Sequence, residues 1–321
     1  MKAIQMTQTG GPEVLGWADV EVPTANGDEI VVDVIAAGLN FIDTYHRTGL
    51  YPVALPFIPG LEGAGTVSEV GSDVSGFSVG DTVAWSGLPG TYAERVALRA
   101  DQVVPVPAGV DPELAAAVML QGMTAHYLVN DTFPLSEGDK CLIHAGAGGV
   151  GLLLIQMAKM RGATVFSTVG TPEKAELAEG AGADHVVLYR DVDFAEEIEA
   201  VAGIRGLDVV YDGVGKTVFE KSLTLLRPRG MMATFGNASG PVDPISPLDL
   251  APSLFLTRPS LFHYIETRDE LLGRSSDVFA SIAEGRLDVR IGARVPMAEA
   301  AQAHRMLEGR QTTGKVILVN G

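Results

Sequence analysis

The sequence holds 321 residues, 46% of them hydrophobic and 20% charged, which accommodates about two domains around large cores and is too apolar for intrinsic disorder. Asp and Glu total 40 against 23 Lys plus Arg, a formal net charge of -17. A field of that sign repels nucleic acid and anionic membrane surfaces, so neither is an expected partner.

The first third reads as strands and turns. Residues 1–6 alternate apolar with polar side chains, and residues 29–37 form a run rich in Val and Ile. Residues 65–70 and 82–85 follow, each bounded by Gly, Asp or Pro. Short strands with turn residues between them predict a compact β barrel or sandwich. A helix is expected over residues 111–119, with Asp111 as cap and Pro112 in the first turn.

The rhythm then changes. Residues 140–144 read as a strand, followed by a glycine-rich turn over 146–151 and an apolar helix to residue 159. A strand over 163–169, a helix through 178 and a strand over 185–188 come next. An acidic helix over 194–202 carries Glu196, Glu197 and Glu199 on a solvated face. Strands over 207–211 and 231–235 complete five strand–helix units, and residues 260–264 are read as a sixth strand. Such alternation means a parallel sheet with right-handed crossovers. Beyond it lie a helix over 268–283, a short helix over 298–307 and a closing strand over 315–319. That last strand has no βαβ partner, so it is expected to return to the first domain.

No apolar stretch approaches the roughly 20 residues of a bilayer span; residues 114–120 and 150–155 are the longest. No charged segment followed by an apolar one opens the sequence, so the cytoplasm is the expected location. The lone cysteine, Cys141, permits neither an intrachain disulfide nor a four-cysteine zinc lobe. It begins a buried strand and is read as core.

The turn Gly146-Ala147-Gly148-Gly149-Val150-Gly151 has the pattern G-x-G-x-x-G between a strand and a helix. Gly146 permits the tight turn, Gly148 lets backbone approach a pyrophosphate, and Gly151 lets helix and strand pack closely. The N–H groups of Gly149 and Val150 at the helix start then face phosphate charge. An NAD site would place a carboxylate at the tip of the second strand. Here the tip reads Thr168-Val169-Gly170-Thr171, with Lys174 in the next turn. A lysine there can pair with a 2′-phosphate, so NADP(H) is the expected cofactor; the plainer reading makes Thr171-Pro172-Glu173 an ordinary helix start and Lys174 a surface residue. The expected fold is α/β: a Rossmann doubly wound parallel sheet over residues 122–285, and a β-rich domain built from residues 1–121 and 286–321.

Several runs carry a resemblance. They are Ala36-Ala37-Gly38-Leu39-Asn40 with Asp43, Tyr45 and Arg47; Ile58-Pro59-Gly60-Leu61-Glu62-Gly63-Ala64-Gly65; and Gln121-Gly122-Met123-Thr124-Ala125-His126-Tyr127. Further on stand Gly236-Asn237-Ala238-Ser239-Gly240, Thr257-Arg258-Pro259-Ser260-Leu261 and Gly314-Lys315. In this order they resemble the zinc-independent quinone oxidoreductases of the medium-chain dehydrogenase/reductase superfamily, over essentially the whole chain. The resemblance implies that the β-rich domain is a GroES-like catalytic domain. Zinc relatives carry a ligating Cys where this chain has Asn40, and a His where it has Leu61. Leucine offers no lone pair and an amide is a poor zinc donor. No metal is expected, and Glu62 is expected to bond backbone or a basic group.

Without a Lewis acid, an acceptor that takes hydride readily is favoured, such as a quinone or a conjugated enone. The resemblance places Asn40, Asp43, Tyr45, Arg47 and Tyr51 over the nicotinamide. Asn40 would hold the carboxamide or the acceptor oxygen. Tyr45 and Tyr51 would stack on a planar substrate or donate a proton. Arg47 would steady a developing oxyanion, and Asp43 would orient Arg47 or Tyr45. The plainer reading makes the tyrosines packing and Asp43 a helix-start residue. Thr124 would reach the nicotinamide, or else cap or fill a core. Gly170, Lys174 and Tyr189 would form the phosphate corner. Asn237 and Ser239, at a carboxyl strand end, would contact cofactor. Lys315 would reach the cleft or stay on the surface, and Phe262 and His263 would line the cleft or a subunit contact.

Residues 257–264 carry apolar side chains on both faces beside a proline. Such an edge needs covering, and relatives pair it across a two-fold axis, so a homodimer is expected. The expected activity is NADPH-dependent reduction of quinones, with reduction of α,β-unsaturated carbonyls as the alternative. A non-enzymatic role, for which relatives recruited as lens crystallins or RNA binders are precedents, fits poorly with the charge of -17 and 6% aromatics.

Overall fold

The computed structural model describes every residue except Pro252 and Gly321. The chain divides into two compact units, Met1–Met123 with Ile265–Gly321, and Thr124–Tyr264.

In chain order, the first unit opens with β1 (Lys2–Gln5) and β2 (Gly16–Asp19), paired antiparallel. Then come β3 (Glu29–Leu39), α1 (Phe41–Thr48), β4 (Glu62–Val70), β5 (Thr82–Ser86), β6 (Arg95–Arg99) and β7 (Val103–Pro105). The division falls within α2 (Pro112–Tyr127). The second unit runs through β8 (Lys140–His144), α3 (Gly149–Met160), β9 (Thr164–Val169), α4 (Pro172–Gly180), β10 (His185–Leu188) and α5 (Phe194–Ala202). It continues through β11 (Leu207–Asp212), α6 (Phe219–Leu225), β12 (Leu226–Thr234) and β13 (Phe255–Thr257). The first unit resumes with α7 (Arg268–Ala283), β14 (Ile291–Pro296), α8 (Ala300–Glu308) and β15 (Lys315–Val319).

In the first unit the strand β3 is the organiser. Its Val and Ile side chains suit a pleated, two-sided buried surface. It pairs with β4 along most of its length, with β6 through its first half and with β15 through its last four residues. The closing strand therefore does lie in the first unit, beside the end of β3. The core packs Ile30, Val32, Leu98 and Leu318 around Trp85, which is fully buried and donates its indole N–H to Thr91 (2.9 Å). The strand β14, parallel to β15, is not among the expected elements; its residues alternate, with Ile291, Ala293 and Val295 more buried than Gly292, Arg294 and Pro296.

In the second unit the order β10-β9-β8-β11-β12-β13 is parallel throughout. The chain builds outward from β8 to β10, then crosses back to β11. That reversal is the topological switch of a doubly wound sheet, where ligands bind at the carboxyl strand ends. Leu142, Phe166, Val210 and Phe219 are among the buried side chains of its core.

Two expectations are corrected. The sixth strand is Phe255–Thr257, and Leu261–Tyr264 is a 3-10 turn. Pro259 has no N–H to offer the ladder, so pairing stops ahead of it. Residues 265–285, expected in the dinucleotide-binding domain, cluster with the first unit. Arg268 there donates to the carbonyls of Asp101 (2.9 Å) and Val103 (2.5 Å). Among the described residues, no helix is long and apolar enough to cross a membrane.

Candidate active site

In the first unit, β3 ends at Leu39 and Asn40 caps α1. The cap is reciprocal: the Asn40 N–H donates to Asp43 Oδ2 (2.8 Å), three residues on. Around this turn lies a buried polar cluster. Asn40, Asp43, Glu62 and Lys315 are each at most 3% exposed. Asn40 Nδ2 donates to Glu62 Oε2 (2.8 Å) and to the Gly38 carbonyl (3.1 Å). Asn40 Oδ1 accepts from Lys315 Nζ (2.9 Å) and Gln121 Nε2 (3.1 Å). Glu62 Oε1 accepts the Leu120 N–H (2.6 Å), and Lys315 donates to Glu62 Oε2.

This geometry revises several expected roles. The Asn40 side chain is engaged inside the protein through both its amide nitrogen and its oxygen, so holding a carboxamide or an acceptor oxygen falls to other groups. Lys315, expected toward the cofactor or the surface, is turned inward on Glu62 and Asn40. Arg47 is 1% exposed; it binds Glu308 through two nitrogens (3.0 and 2.7 Å), the Gly10 carbonyl (3.1 Å) and His304 Nδ1 (3.1 Å). A guanidinium so enclosed clamps α1 to α8 and does not face an oxyanion. Asp43 orients neither Arg47 nor Tyr45; its Oδ2 also accepts from the Tyr92 hydroxyl (2.8 Å).

Tyr92, His304 and Glu308 escaped the sequence reading because nothing local marks them. Arginine only donates, so His304 Nδ1 is an acceptor and Nε2 carries the proton. Nε2 lies 3.5 Å from the Tyr92 oxygen. Burial, reinforced by the Arg47 charge, lowers the His304 pKa to about 3 and keeps the ring neutral. Burial raises the Asp43 carboxyl to about 7, against the Asn40 and Tyr92 donors that favour its charged form.

Tyr45 and Tyr51 do come together. Their rings meet edge to face at 5.2 Å, and the Tyr51 N–H donates to the Tyr45 carbonyl (3.1 Å). Phe41 lies 6.4 Å from Tyr45. Tyr51 is half-buried, which suits a wall for a flat ligand.

In the second unit the glycine-rich turn joins β8 to α3. A Cβ on Gly151 would lie 2.4 Å from the Ala145 carbonyl oxygen, and one on Gly146 would lie 1.9 Å from Ser167 Oγ. Both positions admit hydrogen alone. Gly148 caps α3, so the N–H groups of Gly149, Val150 and Gly151 form its first turn, where helical partners are lacking. At the tip of β9, a Cβ on Gly170 would lie 2.8 Å from the Tyr189 hydroxyl and 3.2 Å from Arg190 Nε. Thr171 caps α4 and accepts from the Lys174 N–H (3.4 Å). Tyr189 and the exposed Arg190 thus lie beside a strand tip without a carboxylate, with Lys174 in the first turn of the helix that follows. Arg190 was missed; it lies past the strand, where spacing from the glycine motif says nothing.

Asn237 follows β12; in the orientation that satisfies its neighbours its amide donates to the Gly236 carbonyl (3.0 Å) and accepts from Arg258 (3.3 Å). Ser239 is taken up locally, donating to the Val214 carbonyl (2.8 Å) and accepting the Thr217 N–H (3.1 Å). Thr124 is buried within α2. Phe262 and His263 lie in the 3-10 turn, both exposed. His144 is core, bound to Thr168 and Ser222 (2.8 Å each), and burial lowers its pKa to about 3. Cys141 is buried and its thiol is pushed up by desolvation.

The residues do not fit a zinc ion. Leu61 is a buried hydrocarbon (4% exposed), Asn40 is bonded through both polar atoms, and an ammonium already sits on Glu62. Among the described residues, no three His, Cys, Asp or Glu side chains are grouped to hold an ion.

Asp43 also makes stability depend on pH. Its folded pKa of about 7 lies above the ordinary 3.8. Between those values the folded state holds a proton that the unfolded state has lost. Stability therefore falls as pH rises from about 4 to about 7, by at most about 1.4 kcal/mol per pH unit from this group. Asp43→Asn is expected to flatten that window in urea titrations. An unchanged slope would remove Asp43 as its source.

Comparison with known proteins agrees with this arrangement. The alcohol dehydrogenase GroES-like domain family matches residues 26–108, and the zinc-binding dehydrogenase family matches residues 149–280. A quinone oxidoreductase of Pseudomonas aeruginosa is 44% identical over 99% of both chains. A 2-haloacrylate reductase of a Burkholderia species is 41% identical over 97% of this chain and 96% of the relative. The structure of Escherichia coli quinone oxidoreductase complexed with NADPH superposes with a TM-score of 0.97 at 41% identity, covering 99% of this chain and all of that one. With a GroES-like unit, a doubly wound unit and full-length relatives above 40% identity, the chain belongs to the quinone oxidoreductase family of the medium-chain dehydrogenases/reductases.

Proposed function

We infer that the protein is an NADPH-dependent oxidoreductase that reduces quinones by hydride transfer without a metal. The observation that carries this is the pairing of full-length likeness to quinone oxidoreductases with a β9 tip built for phosphate. When bound, NADPH supplies the hydride that, with one proton, converts a quinone to its hydroquinone. The chain's own residues bind and orient. The first turn of α3 offers backbone donors to the pyrophosphate. Lys174, Tyr189 and Arg190 take the 2′-phosphate, and Gly170 leaves room for it. Asn237 is a cofactor contact at its strand end. Thr124 and Ser239 act through packing and loop shape.

On the acceptor side, Tyr45 and Tyr51 form a wall for a planar ring, and their hydroxyls are the candidate proton donors. Asn40 and Asp43 hold the helix that carries this wall. Arg47 anchors the same helix from its far end.

The alternative acceptor, an α,β-unsaturated carbonyl, has one specific support: the 2-haloacrylate reductase of comparable identity. Quinone and enone share a polarised conjugated system, so a metal-free site serves either.

We also propose a homodimer in the cytoplasm. Among the described residues β13 pairs on one side only, with β12; Phe255 (56% exposed) and Leu256 on that strand are exposed, as is Phe262 in the turn that follows. Paired edges and covered aromatics are the usual remedy.

Lys174→Ala and Arg190→Ala are each expected to raise the KM for NADPH about tenfold, with that for NADH changed less than about twofold. Equal effects on both nucleotides would remove the phosphate assignment. Steady-state rates with NADPH are expected to favour a benzoquinone over a simple enone. A preference for the enone of about tenfold would reverse the assignment of acceptor. Sedimentation of protein from the cytosolic fraction is expected to give twice the chain mass at micromolar concentration; a lone monomer would refute the dimer.

A further inference from the structure

Lys315 and Glu62 form a fully buried ion pair, at 2% and 0% exposure. Such a pair is an unpromising source of stability, since burying two charges costs about what their attraction returns. The chain is nevertheless shaped around it. A Cβ on Gly38 would lie 2.3 Å from Glu62 Oε2 and 2.6 Å from the Ala116 carbonyl. The room there is made for the carboxylate. Lys315 opens β15, whose next residue, Val316, pairs with Leu39, so the lysine lies beside the point where β3 gives way to α1. Its ammonium donates to Asn40 Oδ1 (2.9 Å) as well as to Glu62.

We propose that Lys315 is a positioning residue whose buried ammonium supplies a resident cation at the place where zinc-dependent relatives hold their metal. It neutralises Glu62 and fixes the Asn40 carboxamide, and through Asn40 it sets the start of the helix that carries Tyr45. Tyr51 follows, because its N–H is bonded to the Tyr45 carbonyl. Lys315 acts on the acceptor wall and makes no contact with NADPH. The proposal rests on the reading of the protein as an NADPH-dependent quinone reductase.

Two variants of the full chain test it: Lys315→Met, and Lys315→Met combined with Glu62→Gln. The first strands a buried carboxylate and is expected to lower the melting temperature by more than about 5 °C. The second removes both charges and is expected to melt within about 2 °C of the wild type. Both are expected to bind NADPH within about twofold of the wild type by fluorescence titration. Both are expected to lose about tenfold or more in kcat/KM for benzoquinone, because Asn40 has lost its charged donor.

Four results overturn the proposal. They are a Lys315→Met enzyme equal to the wild type in turnover, NADPH binding weakened about tenfold in the double variant, a double variant with full turnover, or one that fails to fold. The second would make Lys315 a cofactor contact, the third a mere counter-charge, and the fourth a packing element. A wild type that binds NADPH but leaves benzoquinone untouched would refute the functional reading alone; the variants are then scored on the enone.

Discussion

The buried contact among Lys315, Glu62 and Asn40 governs the first unit. Charges in an apolar interior are tolerated only when each finds a partner and the remaining polar atoms are satisfied. That demand ties the last strand of the chain to the end of β3, to β4 and to the backbone of α2. It also fixes α1, because the amide that meets the lysine belongs to the helix cap. The helix is held again at its other end, where Arg47 reaches Glu308 and His304 on α8. A short helix of eight residues has little stability of its own. Here tertiary bonds at both termini replace it, and the tyrosines it positions inherit that rigidity.

The second unit works by a different economy of groups. The groups proposed there for the cofactor are backbone N–H donors and missing side chains, gathered at the carboxyl ends of parallel strands. The glycines matter through what they leave open. The groups proposed for the 2′-phosphate belong to one strand tip, where Tyr189 and Arg190 lie beside Gly170 and Lys174 opens the next helix. Asp212, at the end of β11, shows the cost of a buried carboxylate. Burial raises it to about 6, and it stays folded in by accepting the Val214 and Gly215 N–H groups.

The absence of thiolate and imidazole donors at positions 40 and 61 directs the chemistry toward acceptors that need no Lewis acid. The ammonium here is buried and turned onto Glu62 and Asn40, so it does not stand open to a substrate oxygen as a metal site does. Its contribution is to hold geometry, which is also what hydride transfer between two flat rings demands.

The sequence by itself determined the pattern of elements in the second unit, the glycine turn and the cofactor it takes. Each rests on local spacing or on residue type at a fixed offset, such as the helix over 194–202 and the bare tip at Val169–Gly170. It also made the poor metal donors plain, since leucine and asparagine have the same chemistry in any fold. Only the tertiary structure decided which polar groups are spent inside the protein. Arg47 and Lys315 read as active-site cations until their partners, more than 250 residues away in sequence, were seen to enclose them. Tyr92, His304 and Arg190 entered for the same reason. Hydrogen-bond saturation and burial arise from contacts distant along the chain, and no periodicity records them.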